Sequence, residues 1–312
     1  MRILKAPELA GLLDYETLVN ALEDSFKCGA EVPSRHHHTI QVDGALNSTL
    51  LLMPAWNDKY LGVKTVMVMP QNAGQSLPSV QANYQLMDLK TGELHAILDG
   101  NELTLRRTAA ASALASRYLS RKSSKCFLMI GTGALAPHLI RAHFSQRKFQ
   151  KVKVWGRRIE KAKSIAAGID SSHVRVEAVD DLEAAVAEAD IISTATLATN
   201  PLVFGEWLRP GQHIDLVGGF TPDMREADDE TIRRARVFVD TDDAIMSTGD
   251  ICRPIERGLI ERVDIQGTLS SIVNGEIADT RLSDDEITLF KSAGTAIEDL
   301  AGAVLAYERA GE

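Results

Sequence analysis

Three positively charged side chains stand out in the first 110 residues of the sequence. Lys64 lies within the run 61–69, whose other members are almost all apolar, and Arg107 precedes a segment rich in small residues. Arg35 lies beside a polar loop. A buried cation needs a carboxylate partner, from the protein or from a ligand. We therefore predict that Arg35, Lys64 and Arg107 bind a substrate carboxylate.

Lys64 is also the predicted catalytic residue, because it is the polar group most deeply set in an apolar run. The alternative is a lysine whose methylene stem packs against apolar residues while the ammonium group reaches solvent. The sequence alone leaves both interpretations open.

A glycine-rich turn in the middle of the chain joins an apolar strand to the start of a helix. The strand Cys126–Ile130 is followed by Gly131, Gly133 and Ala136. The first glycine permits a tight turn, the second lets the backbone approach a pyrophosphate, and the third small residue packs helix on strand. Free N–H groups at the helix start favour phosphates. The pattern predicts a dinucleotide site, although an ordinary strand-turn-helix would share it.

The end of the next predicted strand indicates which dinucleotide binds. In NAD-binding proteins of this type an acidic residue there hydrogen-bonds the ribose 2′-hydroxyl. Here the sequence reads Gly156-Arg157-Arg158, with no carboxylate. Arginine grips phosphate oxygens with a planar pair of donors, so we predict that Arg157 and Arg158 bind the 2′-phosphate of NADPH, with NADH as second candidate. The alternative is that both arginines only begin a solvated helix.

Metal-ligating patterns are weak in this sequence. His36, His37 and His38 are consecutive, and consecutive strand residues point to opposite faces of a sheet. We therefore predict no metal site. The three cysteines are far apart in sequence and match neither a zinc spacing nor a disulfide framework, so we expect reduced thiols.

Composition limits the class of protein. The chain has 312 residues, 45% hydrophobic and 25% charged, which predicts a globular protein of one large or two medium domains. A net charge of −9 and the lack of a basic block argue against nucleic-acid binding. Asp14 and Glu16 interrupt the first apolar run, so we predict no signal peptide, no membrane span and a cytoplasmic location.

The first third of the chain predicts helices around a mostly antiparallel sheet. Apolar residues recur at helical spacing between Tyr15 and Phe26. A segment rich in alanine and leucine predicts a helix over 104–119. Turn signals such as Asn72-Ala73-Gly74 separate the strand-like runs. The predicted strands are 38–42, 48–53, 61–69, 79–88 and 94–98.

From residue 125 apolar runs alternate with helices, which predicts an α/β fold with a Rossmann-type doubly wound nucleotide domain. The predicted strands are 126–130, 152–155, 174–179, 190–194, 213–217 and 237–239. The final helix has no strand partner of its own, so we expect it to return to the first domain. The nucleotide domain, 121–287, is thus predicted as an insertion into an α+β substrate domain formed by 1–120 and 288–312.

Motifs along nearly the whole chain resemble the ornithine cyclodeaminase/mu-crystallin family. No single motif is decisive, but their order and spacing are specific. The matching segments are Gly62-Val63-Lys64, Pro70-Gln71-Asn72, Thr91-Gly92, the run 103–110, the run 131–136, Arg225-Glu226, the run 290–294 and Glu298-Asp299-Leu300.

The resemblance implies a homodimer that pairs through the first domain, and a substrate carboxylate held by Arg35, Lys64 and Arg107. It also implies that Ser79 and Thr108 lie near the cofactor, that Thr196 lines the nucleotide cleft and that Ser292 approaches the nicotinamide. The full set of predicted cofactor-binding residues is Ser79, Arg107, Thr108, Gly131, Gly133, Ala134, Leu135, Gly156, Arg157, Arg158, Thr194, Thr196, Val217, Gly218 and Ser292.

One residue departs from part of that family. Its ornithine cyclodeaminases and alanine dehydrogenases carry an acid/base aspartate after a glycine pair, whereas here Phe220 follows Gly218-Gly219. A phenyl ring cannot transfer the protons that deamination of ornithine requires. Reduction of a preformed cyclic imine needs only a hydride and a proton that the iminium nitrogen can already carry. We expect the Phe220 ring to shield that iminium from water.

The sequence around Phe220 resembles the family's Δ1-pyrroline-2-carboxylate reductases, which make L-proline and can act on the six-membered Δ1-piperideine-2-carboxylate. The predicted function is therefore an NAD(P)H-dependent ketimine reductase. An ornithine cyclodeaminase-type lyase and a non-catalytic, mu-crystallin-like NADPH-binding protein remain as alternatives.

Overall fold

The computed structural model describes residues 1–42, 46–72, 77–169 and 174–311. The chain forms two compact units. The first combines Met1–Thr108 with Thr295–Glu312, and the second is the continuous stretch Ala109–Gly294. The first unit therefore contains residues from both ends of the chain.

The first unit contains a six-stranded sheet in the order β1-β6-β5-β4-β3-β2. Its strands are β1 (Arg2–Leu4), β2 (His36–Ile40), β3 (Ser48–Trp56), β4 (Tyr60–Val68), β5 (Val80–Asp88) and β6 (Leu94–Asp99). Neighbouring strands are antiparallel except for β1, which pairs in parallel with β6. The predicted antiparallel sheet is thus confirmed, with β1 as an addition.

Helices of the first unit are α1 (Ala6–Leu12), α2 (Tyr15–Cys28) and α11 (Ala296–Arg309), and α3 (Gly100–Leu119) begins in it. Asp14 caps α2 by accepting the N–H of Thr17 at 3.0 Å, which satisfies one of the free donors of the first turn. The C-terminal helix α11 packs on α2 and on strands β3 and β4. This helix thus lies in the same unit as the first 108 residues.

The second unit contains a seven-stranded, fully parallel sheet in the order β12-β13-β11-β10-β7-β8-β9. Its strands are β7 (Cys126–Ile130), β8 (Lys151–Trp155), β9 (Arg175–Ala178), β10 (Ile191–Thr194), β11 (His213–Leu216), β12 (Arg236–Val239) and β13 (Thr288–Lys291). The chain runs outward from β7 to β9 and then resumes at β10 on the other side of β7. This reversal is the point at which doubly wound sheets bind ligands.

Most of these strands are connected by helices, as is usual for parallel pairing. They are α4 (Leu135–Phe144), α5 (Ile159–Ala167), α6 (Leu182–Glu188), α7 (Asp229–Arg234), α8 (Asp242–Ser247), α9 (Gly249–Glu256) and α10 (Leu269–Val273). No helix among the described residues is both long and apolar enough to cross a membrane.

Strand β13 corrects the prediction of six strands for this sheet. Its four residues, all buried, pair with β11 on one side and β12 on the other. It follows a polar, irregular stretch and is too short for its periodicity to be recognised. Because β13 belongs to the second unit, the observed boundaries at residues 108 and 294 differ from the predicted 120 and 287.

The remaining sequence-derived elements agree in type with the structure. Strand β2 begins at His36, two residues before the predicted start, and α3 begins at Gly100 rather than at Thr104. Residues 73 and 74 of the predicted turn after Asn72 lie outside the described residues.

Candidate functional site

Lys64 is buried at the centre of the first sheet, on β4 between β3 and β5. Only 2% of its surface is exposed. Its ammonium nitrogen lies 2.7 Å from Oδ2 and 2.8 Å from Oδ1 of Asp299, near the start of α11. Its distance to the hydroxyl oxygen of Thr104 is 3.4 Å. The Lys64 ammonium group therefore does not reach solvent, and its partner is a carboxylate of the protein.

Arg107 shares that carboxylate. Its Nε donates to Asp299 Oδ1 at 2.8 Å, and one terminal nitrogen donates to Glu298 Oε2. The guanidinium and both carboxylates are also buried. Two cations therefore face two anions, so the charges of this group, hereafter the Lys64 cluster (Lys64, Arg107, Glu298 and Asp299), balance without a ligand.

Burial and the neighbouring Arg107 together lower the pKa of Lys64 to about 8, although Asp299 acts in the opposite direction. An ammonium group in this environment is nearer to releasing its proton at neutral pH than an exposed lysine is. Such a shift is a property of groups that transfer protons or bind ligands, although buried ion pairs also show it.

The other predicted residues of the first unit lie directly before two strands and on α3. Arg35 is half-buried and directly precedes β2 at the sheet edge. Ser79 directly precedes β5, and its carbonyl accepts the N–H of Met69 at 2.7 Å. Thr108 is half-buried on α3, next to Arg107.

In the second unit, the loops after β7, β10 and β11 approach one another through backbone at glycine positions. Gly131 has φ of +126°, and an added Cβ would lie 2.5 Å from the carbonyl oxygen of Ala195. A Cβ on Gly218 would lie 2.1 Å from the carbonyl oxygen of Thr196. A Cβ on Gly133 would meet nothing within 4 Å. The turn therefore leaves open space at the position predicted to face a pyrophosphate, which fits a dinucleotide.

Helix α4 begins beside this space. Its cap residue Ala134 makes no side-chain capping hydrogen bond, Leu135 is the first helical residue, and Ala136 is buried against the sheet. The first N–H groups of a helix lack partners inside it and attract anions. The arrangement of Gly131, Gly133, Ala134 and Leu135 thus fits the diphosphate of a dinucleotide.

Arg157 and Arg158 lie directly after β8, and both are exposed. Within the described ranges neither side chain forms an ion pair, so both guanidinium groups are available to a phosphate. Gly156 holds the loop close to the glycine turn, since a Cβ there would lie 2.6 Å from the methyl group of Thr132. Arg158 is also the cap residue of α5.

The remaining predicted cofactor residues lie at the carboxyl ends of β10, β11 and β13. Thr194 ends β10, and its carbonyl accepts the N–H of Val217 at 2.9 Å. Ser292 follows β13 and donates its N–H to the carbonyl of Leu216 at 3.2 Å. Phe220 is 56% exposed, so its ring packs on little of the protein.

A group of three fully buried charged residues was not predicted as part of the site: Glu226, Asp250 and Lys291. The Lys291 ammonium nitrogen lies 3.3 Å from Oδ2 of Asp250. The signal that identified Lys64, a charge within an apolar run, is also present at Lys291, which ends the buried β13. Glu226 and Asp250 stand among polar residues and give no such signal.

Metal binding finds no support in the described part of the chain, where no group of three or more His, Cys, Asp or Glu side chains could hold an ion. The rings of His36 and His38 lie 6.4 Å apart on the exposed strand β2.

The sequence of this chain is similar to those of known proteins over nearly its whole length. A sequence model of the ornithine cyclodeaminase/mu-crystallin family matches residues 2–312. A Δ1-pyrroline-2-carboxylate reductase of Colwellia psychrerythraea is 37% identical over 99% of this chain and 99% of its own length.

Solved structures of similar proteins superpose on nearly the whole chain. The Thermococcus litoralis Δ1-pyrroline-2-carboxylate reductase, in complex with NADH and L-proline, superposes with a TM-score of 0.91 and 36% identity, covering 99% of this chain and 97% of that one. An archaeal alanine dehydrogenase dimer with bound NAD has a TM-score of 0.91 and 30% identity, covering 99% and 96%.

Proposed function

Because the chain belongs to the ornithine cyclodeaminase/mu-crystallin family, we propose that it is an NAD(P)H-dependent reductase that converts Δ1-pyrroline-2-carboxylate to L-proline. The observation that carries this proposal is the match, over 99% of the chain, to a reductase bound to NADH and L-proline. The six-membered Δ1-piperideine-2-carboxylate, which would give L-pipecolate, is a second candidate substrate.

The second unit supplies the cofactor site in this proposal. When bound, the reduced nicotinamide supplies a hydride to C2 of the imine. Gly131, Gly133 and the start of α4 bind the diphosphate. Arg157 and Arg158 bind the 2′-phosphate, which makes NADPH the preferred cofactor. Thr194, Thr196, Val217, Gly218 and Ser292 line the part of the site that receives the nicotinamide nucleotide.

The Lys64 cluster binds and orients the substrate. Reduction of an imine whose ring nitrogen is unprotonated adds one hydride to C2 and one proton to that nitrogen. Arg35 and Arg107 bind the carboxylate, and Lys64 Nζ holds a proton close to the imine nitrogen. Asp299 fixes Lys64 and Arg107 in place through contacts of 2.7 to 2.8 Å.

Phe220 separates this reaction from that of a lyase. Its ring replaces the aspartate to which the resemblance assigns proton transfer, and the nearest other carboxylate in sequence, Asp223, forms an ion pair with Arg253 at 3.0 Å. We expect the protein to release no ammonia from L-ornithine.

The test is an assay of NADPH oxidation by the purified protein with each cyclic imine, and of ammonia release from L-ornithine. We expect oxidation that depends on an imine and yields L-proline or L-pipecolate. Conversion of ornithine at a rate comparable to imine reduction would identify a lyase. Binding of NADPH without any turnover would identify a storage protein.

The resemblance and the dimer of the archaeal relative support a further part of this proposal, a homodimer. Light scattering after size exclusion would give twice the 34.0 kDa chain mass; a monomer would contradict it.

The cytoplasmic location also remains a proposal, supported by the free thiols of Cys28, Cys126 and Cys252, and cell fractionation tests it.

A further inference from the structure

Glu226 is a fully buried carboxylate that connects two loops of the second unit. Its Oε1 accepts the N–H of Thr196 at 2.7 Å and the hydroxyl of the same residue at 2.8 Å. Its Oε2 accepts the N–H of Gly218 at 2.7 Å and that of Gly219 at 3.3 Å. Both oxygens are thus engaged, and each holds a different loop.

The two loops follow β10 and β11, on the β10 side of the strand-order reversal. In a doubly wound sheet ligands bind outside the carboxyl ends of the strands at this reversal, and each half of the sheet binds one mononucleotide. Because Arg157 and Arg158 follow β8 in the other half, the adenosine belongs there. The loops held by Glu226 therefore belong to the nicotinamide half, an assignment that rests on the function proposed above.

The contact between these loops is unusually close. A Cβ on Gly218 would lie 2.2 Å from the backbone nitrogen of Thr196 and 2.6 Å from Glu226 Oε1. Backbone, rather than side chains, therefore forms the surface at this point. The Glu226 carboxylate bridges the two loops at this point of close approach.

We propose that Glu226 is a positioning residue, whose carboxylate fixes the Thr196 and Gly218 loops in the arrangement that receives the nicotinamide ring. It has no contact with reacting atoms in this role. Orientation of a bound group contributes strongly to rate, and a displacement of about 1 Å can cost about 100-fold.

Two further buried charges hold Glu226 itself. Asp250 Oδ1 accepts the N–H of Glu226 at 2.7 Å and that of Ala227 at 3.1 Å. Asp250 Oδ2 faces the Lys291 ammonium group at 3.3 Å. Buried charges are costly unless they are paired and hydrogen-bonded. The backbone that carries Glu226 is thus tied to α9 and β13.

A glutamine at position 226 has the shape of glutamate but presents an NH₂ group where one oxygen accepts hydrogen bonds. In Glu226→Gln one loop therefore loses its acceptor, while the packing volume is kept. A matched control exists at the opposite, amino ends of the strands. Asp190 Oδ2 accepts the N–H groups of Lys125 and Cys126 at 2.6 and 2.9 Å. Asp190→Asn therefore weakens comparable hydrogen bonds to backbone at the other end of the strands from the Thr196 and Gly218 loops.

The experiment compares affinity for adenosine 2′,5′-bisphosphate, affinity for NADPH, and the rate of imine reduction at saturating NADPH. For Glu226→Gln we expect unchanged binding of the bisphosphate, NADPH binding weakened about tenfold, and a rate lowered about 10- to 100-fold. For Asp190→Asn we expect a lower melting temperature with all three quantities unchanged.

Equal loss of bisphosphate and NADPH affinity in Glu226→Gln, or unchanged NADPH binding and rate, would overturn the proposal. If that variant does not fold, Glu226→Asp keeps the charge with a shorter side chain and is judged by the same measurements; failure of both to fold would reduce Glu226 to a structural role. The two affinities remain informative even if the unmodified protein reduces no imine, so failure of the proposed function is seen separately.

Discussion

At Lys64, burial and charge pairing act in opposite directions on one ammonium group. Burial and Arg107 disfavour the charged form, Asp299 favours it, and the resulting pKa is about 8. If catalysis needs the ammonium form, kcat/KM falls as the pH rises through this value, because the Lys64 ammonium group loses its proton there.

The Lys64→Arg variant tests this assignment, because a guanidinium group keeps its proton throughout the accessible pH range. We expect the decline in kcat/KM near pH 8 to disappear in the variant, even where its overall activity is lower. Lys59→Arg, at an exposed lysine on the adjacent turn, should leave the profile unchanged. A decline that persists in Lys64→Arg would assign the titration to the imine instead.

The pair Arg157 and Arg158 gives a second prediction at this scale. Changing both to alanine should remove the preference for NADPH over NADH, since each charge-assisted bond to a phosphate contributes about 1.5 to 3 kcal/mol. Dissociation constants for both cofactors measure the effect. Arg175→Ala, at another exposed arginine of the same unit, is the control. Equal affinity for the two cofactors in the unmodified protein would contradict the assignment.

The sequence predicted the buried cations Lys64 and Arg107 but not their partners. Lys64 is conspicuous because apolar residues surround it locally. Its partner Asp299 lies 235 residues away, and on its own helix it stands in the first turn, where acidic residues are common for another reason. Pairing between distant segments has no local signature, and this also concealed the role of Glu226.

At the scale of elements, the parallel strands β10 and β11 bury an acidic group between them. Asp215 on β11 accepts the hydroxyl of Ser193 on β10 at 2.6 Å. Burial raises the pKa of Asp215 to about 7, against the opposing effect of that hydrogen bond. Between about pH 4 and 7 the folded protein therefore holds a proton that the unfolded chain has released.

It follows that this carboxyl makes the protein less stable as the pH rises through that window. In Asp215→Asn the decrease in the free energy of unfolding between pH 5 and pH 8 should be smaller than in the unmodified protein by up to about 3 kcal/mol. Urea unfolding at the two pH values measures it, with the exposed Asp243→Asn as control. The same pH dependence in Asp215→Asn and the unmodified protein would show that Asp215 does not titrate in this range.

In the second unit β7, β8, β9 and β12 each lead directly to a helix, which made them recognisable, while β10 and β11 were recognisable as apolar runs. Strand β13 was not, because an irregular segment precedes it and the helix after it belongs to the first unit. The glycine turn after β7 was recognisable from its residue types. At Gly131 the close approach of the Ala195 backbone excludes any larger residue.

At the scale of the whole molecule, the two units differ in continuity. The second is a single stretch that contains the full parallel sheet, the glycine turn and both arginines proposed to bind the 2′-phosphate. We therefore predict that residues 109–294 expressed alone fold and bind adenosine 2′,5′-bisphosphate nearly as tightly as the full chain. Calorimetry measures both properties. A fragment without a cooperative melting transition would contradict this.

Residues 1–108 should behave differently, because without α11 they leave Lys64 and Arg107 buried with no carboxylate from Glu298 or Asp299. Removing one partner of a buried ion pair costs about 3 to 5 kcal/mol. We expect this fragment to unfold, and a fusion of 1–108 to 295–312 through a flexible linker to restore a folded unit.

The ion pairs of the Lys64 cluster also bear on the order of events during synthesis. Arg107 and Glu298 are 191 residues apart in the sequence, and a ribosome synthesises a segment of that length in roughly 10 to 40 s. For that time the emerging first unit lacks the helix that neutralises its central cations, while the second unit, complete at residue 294, can already close its sheet. Of the two units, the one whose synthesis begins earlier is thus the one that is completed later, and in that interval its incomplete core is the part more exposed to aggregation.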